Sequence, residues 1–512
     1  MSHGSPRIAA DHVGHGSPRT AADRDLRPAV VAAGAVLFVA LAVSNSAGYR
    51  YGASDQAFYL PAAARAANPA LFPRDAPLLD AQARLTLADN LVGGAVRVFS
   101  IELSTVALVG YIGGLLLLYA AALAFGLAMN GSRWAAAALA AALTLRHGIS
   151  RAGVNTLEGY FHPRLIVFAG GILALAWFLR GRIWLALVLL LLIAPLHPTT
   201  GVWFFIWFGI AVMVANRHAP SALILTAAAA IVAGVWAVTA GPLTGRLVRM
   251  DPVWLASLEG KDYLFPNLWP PYAWLANLAS PVLIGGVAYA RWRSGRLAPG
   301  ERGLIAGACG LLLIFAGSLP FNAARLALII QLQIPRIFWM LDFLATALII
   351  TWLTERARDR AYLVAAVLVA VAIARGAYIM TIEFPERPLF QANLRADEWR
   401  DAMNWAATTP VGSHWLAHPG HAHLYGSSVR LAAARDVFHE AVKDPAIAIY
   451  ARPIAERVIE RSQALPDFDR LDVAAAHALA SRYELDYLIT EARGLSLPVA
   501  YSNARFVVYR LR

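Results

Sequence analysis

The chain has 512 residues, of which 59% are hydrophobic and only 15% charged, against roughly a quarter charged in an ordinary globular domain, which excludes a soluble enzyme. Its net charge of +12 is almost wholly arginine, since Lys occurs only at positions 261 and 443. Those arginines are scattered at the ends of apolar runs instead of forming one basic face, so nucleic acid is not an expected partner. The single Cys309 leaves neither an intrachain disulfide nor a thiolate metal site.

Residues 1–27 carry a tandem repeat, HGSPRIAADH at 3–12 and HGSPRTAADR at 15–24. It is too polar for the apolar segment of a signal peptide and reads as a disordered cytoplasmic tail. From Pro28 to Met380 apolar runs alternate with short Arg clusters, each run being near the roughly 20 residues that cross ~30 Å of hydrocarbon. Basic turns at Arg133, Arg180 to Arg182, Arg217, Arg291 to Arg296 and Arg356 to Arg360 fall to the cytoplasm by the positive-inside rule. Parity then gives about eleven spans, with the N-terminus inside and the C-terminus outside. They lie near 28–46, 101–128, 134–147, 164–179, 183–196, 199–215, 219–240, 273–290, 302–319, 335–353 and 361–379. PLHPTTG at 195–201 divides the apolar stretch 183–215 into a hairpin with two short arms.

The external segments are a large first loop at 47–100, a polar loop at 147–163, an aromatic-rich loop at 241–272 and an apolar connector at 320–334. Beyond Thr381, EWRDAMNWAA and LDVAAAHALASRY read as amphipathic helices, and HWLAH, DYLIT and RFVVYRL as strands. The expected fold is an all-α polytopic transmembrane bundle over 28–380 with a small C-terminal α/β external domain over 381–512.

Asp55 follows the first span closely, and Phe58, Tyr59, Leu60 and Ala63 behind it form a helical apolar stripe, as in a helix lying on the membrane interface. A carboxylate there can take a proton from an acceptor hydroxyl while a lipid-borne substrate slides in laterally. It can also cap the helix that starts at Gln56. Asp75 and Asp80 read as solvated or turn residues. The second loop, RHGISRAGVNTLEGYFHPRL, gathers Arg146, His147, Arg151, Asn155, Glu158, His162 and Arg164. Outer arginines run against the positive-inside bias. Bidentate grip on a lipid phosphate accounts for them, as does snorkelling to headgroups. FHPR sets His162 and Arg164 at a helix entrance and favours that pair. The His and Glu spacing is not that of a helical metal site, so neither metal nor cofactor is expected. His197, at the hairpin tip, either points into the same indentation or caps its own turn. Arg336 is a further phosphate candidate. Asp342, roughly 9 Å deeper by helix rise, reads as a structural partner inside the bundle. Trp254, Lys261, Tyr263, Trp269, Tyr272 and Trp274 suit an interfacial belt or sugar stacking, with Trp269 and Tyr59 as the ring candidates.

An acidic residue just after the first span, then a Tyr and an interfacial helix in a long first loop, resembles the GT-C glycosyltransferases, which use polyprenyl-phosphate-linked sugars. SDQAFYLPA, FHPR, LHPTTG and DYLITEARGLSLPVAYSNARFVVYRL are similar to a bacterial branch of such proteins. The resemblance implies ten or more spans, Asp55 as base, and a polyprenyl-phosphate-linked sugar donor and membrane lipids as partners. It further implies inverting transfer to a lipid or glycan acceptor on the periplasmic side of a bacterial inner membrane. Many relatives pair Asp with Glu at this position, whereas this chain has Asp55 and Gln56. One carboxylate suffices for a base but not for a metal-binding pair. A transporter or flippase for a lipid-linked glycan is the alternative, although no two matching halves with broken helices are visible. A non-catalytic scaffold of the same fold is another.

Overall fold

The computed structural model describes residues 27–215, 232, 234–241, 243–491 and 494–512. The repeat-bearing tail, Arg217 and much of the expected span at 219–240 lie outside the described residues.

Among the described residues six segments are long and apolar enough to cross a membrane, not the eleven expected. They are Pro28–Asn45, Leu103–Met129, Pro198–Ala215, Pro271–Arg293, Pro299–Ala323 and Ala327–Glu383, the last containing two helices, Ile337–Ala357 and Ala361–Tyr378. Three further expected spans are helical but short: Arg133–Leu143, Pro163–Leu179 and Ile183–Leu196. The 11-residue helix Arg133–Leu143 rises only roughly 17 Å, about half the hydrocarbon thickness. Of the eleven expected spans three are thus too short, 335–353 and 361–379 fall within one segment, and 219–240 lies largely outside the described residues; arginine parity counts crossings and is blind to helix length. The break in the 183–215 stretch falls at His197, where the helix Ile183–Ile193 gives way to a 3-10 turn, Ala194–Leu196, and a new helix begins at Pro198.

The first and last helices of the bundle are tied where they leave it. Arg375 donates to the Asn45 backbone carbonyl (3.0 Å) and to Asn45 Oδ1 (2.8 Å), while Asn45 Nδ2 donates to the Ala372 carbonyl at 3.0 Å. Beyond this clasp Tyr49–Arg50 pairs in parallel with Phe390–Gln391. The two exits from the bundle are thus stitched into one element that leads directly to Asp55.

Residues 47–100 fold into three helices, Gln56–Ala67, Ala76–Ala83 and Ala88–Phe99. The first is not an interfacial helix, because Ala57, Phe58, Leu60, Ala62 and Ala63 are all buried. The outward apolar face belongs instead to Ala88–Phe99, with Leu91, Val98 and Phe99 exposed. That helix packs closely on Gln56–Ala67 at Gly93, where a Cβ would lie 2.5 Å from the Ala63 carbonyl oxygen.

The C-terminal elements match the periodicities read from the sequence: helices Glu398–Ala406 and Val473–Tyr483, and strands His414–Leu416, Tyr487–Glu491 and Phe506–Arg510. Asp397 and Asp472 cap the two helices through bonds from Arg400 N (2.9 Å) and Ala475 N (2.7 Å). The five strands run Asp436–Val437, His414–Leu416, Tyr487–Glu491, Phe506–Arg510 and Val499–Ser502, with the first three parallel and the rest antiparallel.

One apolar core joins this domain to the external loops: Phe58, Phe72 and Leu79 of the first loop, Trp254 and Leu258, and Ile447, Ile449 and Ile454. Ion pairs run through the same junction. Asp75, read from sequence as a solvated or turn residue, is fully buried. It accepts from Arg430 Nε at 2.7 Å and from Val437 N at 3.1 Å, and pairs with Arg457. The other edge of the Arg430 guanidinium grips Asp444 through bonds of 2.6 and 3.1 Å. Asp80, by contrast, is exposed and pairs with Arg65 at 3.3 Å.

Replacing Arg430 by Met removes the cation that grips Asp444 and leaves the carboxylate buried, with the His439 ring 3.5 Å away. The expected loss is about 3–5 kcal/mol, and the pH dependence should change sign. In the native protein burial pushes the Asp444 pKa up, but Arg430 and His439 hold it well below the ordinary range. Its contribution is then complete above about pH 4 and is lost as the pH falls further. In the variant the pKa lies above the unfolded value, so stability falls as the pH rises through it. Thermal melts in detergent across pH 4 to 7 check this, and parallel curves for the two proteins would contradict it.

Candidate functional site

Asp55 sits at the N-cap of Gln56–Ala67, but its side chain makes no capping bond. The capping role is therefore not realised, and the carboxylate turns to a cavity of about 180 Å³ between the first loop, the second loop, the hairpin break and the C-terminal domain. Oδ1 accepts from Lys443 Nζ at 2.8 Å, and Oδ2 lies 3.5 Å from Tyr160 Oη, 3.6 Å from His162 Nε2 and 3.8 Å from Arg164 Nη2. Burial raises the Asp55 pKa, yet Lys443, His162 and Arg164 outweigh it and hold the carboxyl well below its usual range. It is an ionised, weakly basic hydrogen-bond acceptor.

Lys443 arrives from the other end of the chain, and backbone geometry explains how it is aimed. Glu440 accepts from Lys443 N at 2.7 Å and from Val442 N at 3.3 Å, while Asp444 accepts from Glu440 N at 2.9 Å. The turn that carries Lys443 is thereby fastened to the Arg430 network. Lys261, the only other lysine, lines the same cavity and donates to the Val442 carbonyl at 3.0 Å. Both lysines of the chain converge here, a rarity that could have flagged them in the sequence.

The FHPR segment presents two side chains. His162 Nδ1 accepts from Arg164 N at 3.2 Å, so the network assigns the proton to Nε2, which faces Asp55 without a bonded partner. Burial and Arg164 push the His162 pKa down to about 4, leaving a neutral N–H donor near pH 7. Arg164 is buried against Glu158, with Nε to Oε2 at 3.1 Å and a second, shorter contact. Gly159 makes the loop possible, since a Cβ there would meet the Gly48 carbonyl oxygen at 2.4 Å.

His197 marks the helix break. Its Nδ1 accepts from Thr200 N at 3.4 Å and contacts the Thr200 and Thr199 hydroxyls at 2.9 and 3.2 Å, so its Nε2 also carries the proton. It both caps its own turn and lines the cavity. Its ring centroid lies 5.6 Å from that of His162, and burial followed by Arg336 keeps its pKa well below the usual value. Arg336 completes this wall. It is buried, touches Thr199 Oγ1 at 3.5 Å, and leaves Nε without a partner. Gln333 just before it has a φ of 49°, a left-handed conformation costly for a residue with a Cβ, and donates to Tyr450 Oη at 2.8 Å. Tyr59 stands across the cavity, its ring 4.8 Å from that of His162.

Two sequence candidates are not brought here. Arg151 is an exposed residue paired with Asp262 at 3.0 Å and with Tyr272. Trp269 is buried among Trp274, Phe315 and Phe338 and donates to the Asp262 carbonyl at 3.3 Å. Asp342 pairs with His147 at 2.8 Å, away from the cavity.

Four cationic side chains, Arg164, Lys261, Arg336 and Lys443, line the cavity with one carboxylate, Asp55. Once Glu158 behind Arg164 is also counted, two positive charges remain unmatched. That balance suits a phosphate and opposes a divalent cation. Among the described residues no group of three or more His, Cys, Asp or Glu side chains is placed to share a metal. Next to this cavity lies a second of about 380 Å³, walled by Leu85, Leu196, Val202, Leu243, Leu328 and Leu332 among others. The two share Tyr59, Gln82, His197 and Tyr450, so a polar chamber adjoins an apolar one.

Replacing Lys443 by Met removes the nearest cation from Asp55, and its carboxyl should then titrate at clearly higher pH. Infrared difference spectra of the carboxyl band, assigned by its loss in Asp55→Asn, check this. An unchanged titration would mean that Arg164 and His162 set the Asp55 charge by themselves.

No family model and no curated protein matches the chain. Among solved structures, the archaeal oligosaccharyltransferase AglB from Archaeoglobus fulgidus, in complex with an inhibitory peptide and a dolichol-phosphate, aligns over 90% of this chain and 69% of its own length, with 13% identity and a TM-score of 0.52. An Archaeoglobus fulgidus oligosaccharyltransferase in complex with Zn and sulfate aligns over 90% of this chain and 67% of its own, with 14% identity and a TM-score of 0.45. The likeness to the first is one of fold: like it in overall architecture, the chain is a multi-pass helical membrane bundle with a small mixed α/β C-terminal domain.

Proposed function

We propose that the chain is a membrane glycosyltransferase that moves a sugar from a polyprenyl-phosphate carrier to a hydroxyl of a lipid or glycan acceptor, with inversion. The observation that carries this reading is the adjoining pair of chambers. A polyprenyl-phosphate sugar is a phosphate with an apolar tail, and here a cavity with surplus positive charge opens beside an apolar one. The archaeal protein of like fold was solved with a dolichol-phosphate, a ligand of this class. We assign the working face to the periplasmic side of a bacterial inner membrane, with the N-terminus cytoplasmic and the domain over 381–512 external.

The chemistry follows from the charges. The tail lies in the apolar chamber, and the phosphate meets Arg336, Arg164 and the Nε2–H groups of His162 and His197. A phosphodiester donor carries one negative charge and the departing phosphate monoester nearly two, so a surplus of two positive charges favours the products of bond cleavage over the ground state. As the bond between the sugar C1 and the phosphate oxygen breaks, its electron pair goes to the phosphate. The acceptor oxygen bonds C1 from the opposite face, and its proton passes to Asp55. A carboxylate of low pKa is a weak base, and it suffices because the acceptor proton becomes strongly acidic only as the new bond forms. The Lys443 ammonium, released from Asp55 at that moment, is positioned to follow the negative charge onto the phosphate.

Asp55→Asn should lower sugar transfer by about 10²-fold or more while leaving the protein folded, since the native side chain makes no capping bond. Arg336→Gln should weaken binding of a polyprenyl-phosphate analogue, and Arg336→Lys should weaken it less, because a point charge keeps attraction but loses the forked geometry. Titration of the analogue into purified protein, with Arg293→Gln as control, measures the second effect. Undiminished transfer by Asp55→Asn, or equal affinities across the arginine set, would favour a transporter or scaffold instead.

A further inference from the structure

A separate cavity of about 610 Å³ opens where the paired exits from the bundle meet the C-terminal domain, within the range of small-ligand sites. Its lining includes Arg50 and Tyr51 beside the first strand, Arg387 and Arg395 on the return segment, and Trp399, Tyr425 and Arg505 of the C-terminal domain. Arg505 is matched by Glu491 at 2.7 Å. Among the described residues Arg50, Arg387 and Arg395 make no ion pair. Arg50 is partly buried, its Nε has no hydrogen-bond partner, and burial and Arg387 lower its pKa. Two carboxylates also line the cavity: Asp397 is occupied in capping Arg400 N at 2.9 Å, and Glu386 is exposed. Arg387 stacks on the Phe384 ring at 3.6 Å and feels Glu383, but Arg50 keeps an orphaned donor under cover, which is costly without an anionic ligand. Beside them stands the half-buried Tyr425 ring, backed by the buried Trp399 with centroids 4.6 Å apart, and with the Arg505 guanidinium 5.3 Å from it.

We propose that this cavity is a second binding site that holds an anionic sugar chain. The arginines meet its carboxylate or phosphate groups, and the Tyr425 ring meets the apolar face of a pyranose. The proposal rests on the transferase reading and deepens it by making the held chain the acceptor. Arg50 is five residues from Asp55, so their Cα atoms are at most about 18 Å apart, a distance that a short oligosaccharide spans. The cavity also leaves the donor chambers free, since its lining residues belong to neither of them.

The test uses the full chain in detergent and calorimetric titration with three probes: trigalacturonate, the neutral maltotriose, and glucose 6-phosphate. Binding of trigalacturonate or of glucose 6-phosphate, at least tenfold tighter than maltotriose, is expected, and which of the two binds identifies carboxylate or phosphate as the preferred charge. Arg50→Gln and Arg387→Gln should each weaken that binding about tenfold, and Arg387→Lys less, which separates lost charge from lost folding. Arg336→Gln should leave it unchanged while weakening a polyprenyl-phosphate analogue. Equal binding of maltotriose, no binding of either anionic probe, or indifference to Arg50 and Arg387 would overturn the proposal. Those results would leave lipid-phosphate binding, and with it the transferase reading, untouched.

Discussion

The structure depends on one guanidinium. Arg430 lies between Asp75 of the first loop and Asp444 of the C-terminal domain, at 2.7 Å from one and 2.6 Å from the other, with all three side chains almost wholly excluded from solvent. Burying such charges costs several kcal/mol per ion unless each is fully bonded, and here the backbone amides of Val437 and Glu440 and the second cation Arg457 complete the set. The arrangement tolerates very little displacement. It fixes how the C-terminal domain seats on the first loop, and so it fixes the neighbour of Asp444 in sequence, Lys443, on Asp55. An apolar junction alone would hold the domain in place but would leave its register free to slide, because apolar contact is not directional.

The short helices serve the same end. Three apolar helical segments fall below the length of a full span, and one of them, Ile183–Leu196, ends at the His197 break. Chain that stops short of a full crossing leaves room for chambers below the outer surface. Backbone in such a place must be bonded within the protein or face a cavity, and the His197 turn satisfies this through Thr200 and Thr199. A polar chamber is thus placed beside an apolar one.

Much of this was legible in local pattern. Periods of two and of 3.6 in the last part of the chain located helices and strands that the structure contains, and PLHPTTG located the break at His197 because two prolines and a glycine interrupt a helix whatever surrounds them. FHPR set His162 and Arg164 at a helix entrance, and both line the cavity. The role of Asp75 was not legible, because its partners stand 355 and 382 positions away and nothing local separates a buried aspartate from one in a turn. Lys443 was hidden for the same reason, 388 positions from Asp55. Trp269 and Arg151 drew attention by residue type, and their neighbours Phe315 and Asp262 satisfy them elsewhere. Three of the expected spans proved short, and this was not legible because charge at helix ends records direction of crossing and carries no information on length.

The central claim is that the adjoining chambers hold a polyprenyl phosphate with its head against Arg336 and its tail away from Asp55. An electron cryomicroscopy map of the full chain in lipid nanodiscs with decaprenyl phosphate tests it most directly. Phosphate density is predicted among Arg336, His162, His197 and Arg164, continuous with tail density along Leu196, Val202 and Leu328. Phosphate density outside this group of side chains, or a tail that bypasses the apolar chamber, would contradict the account.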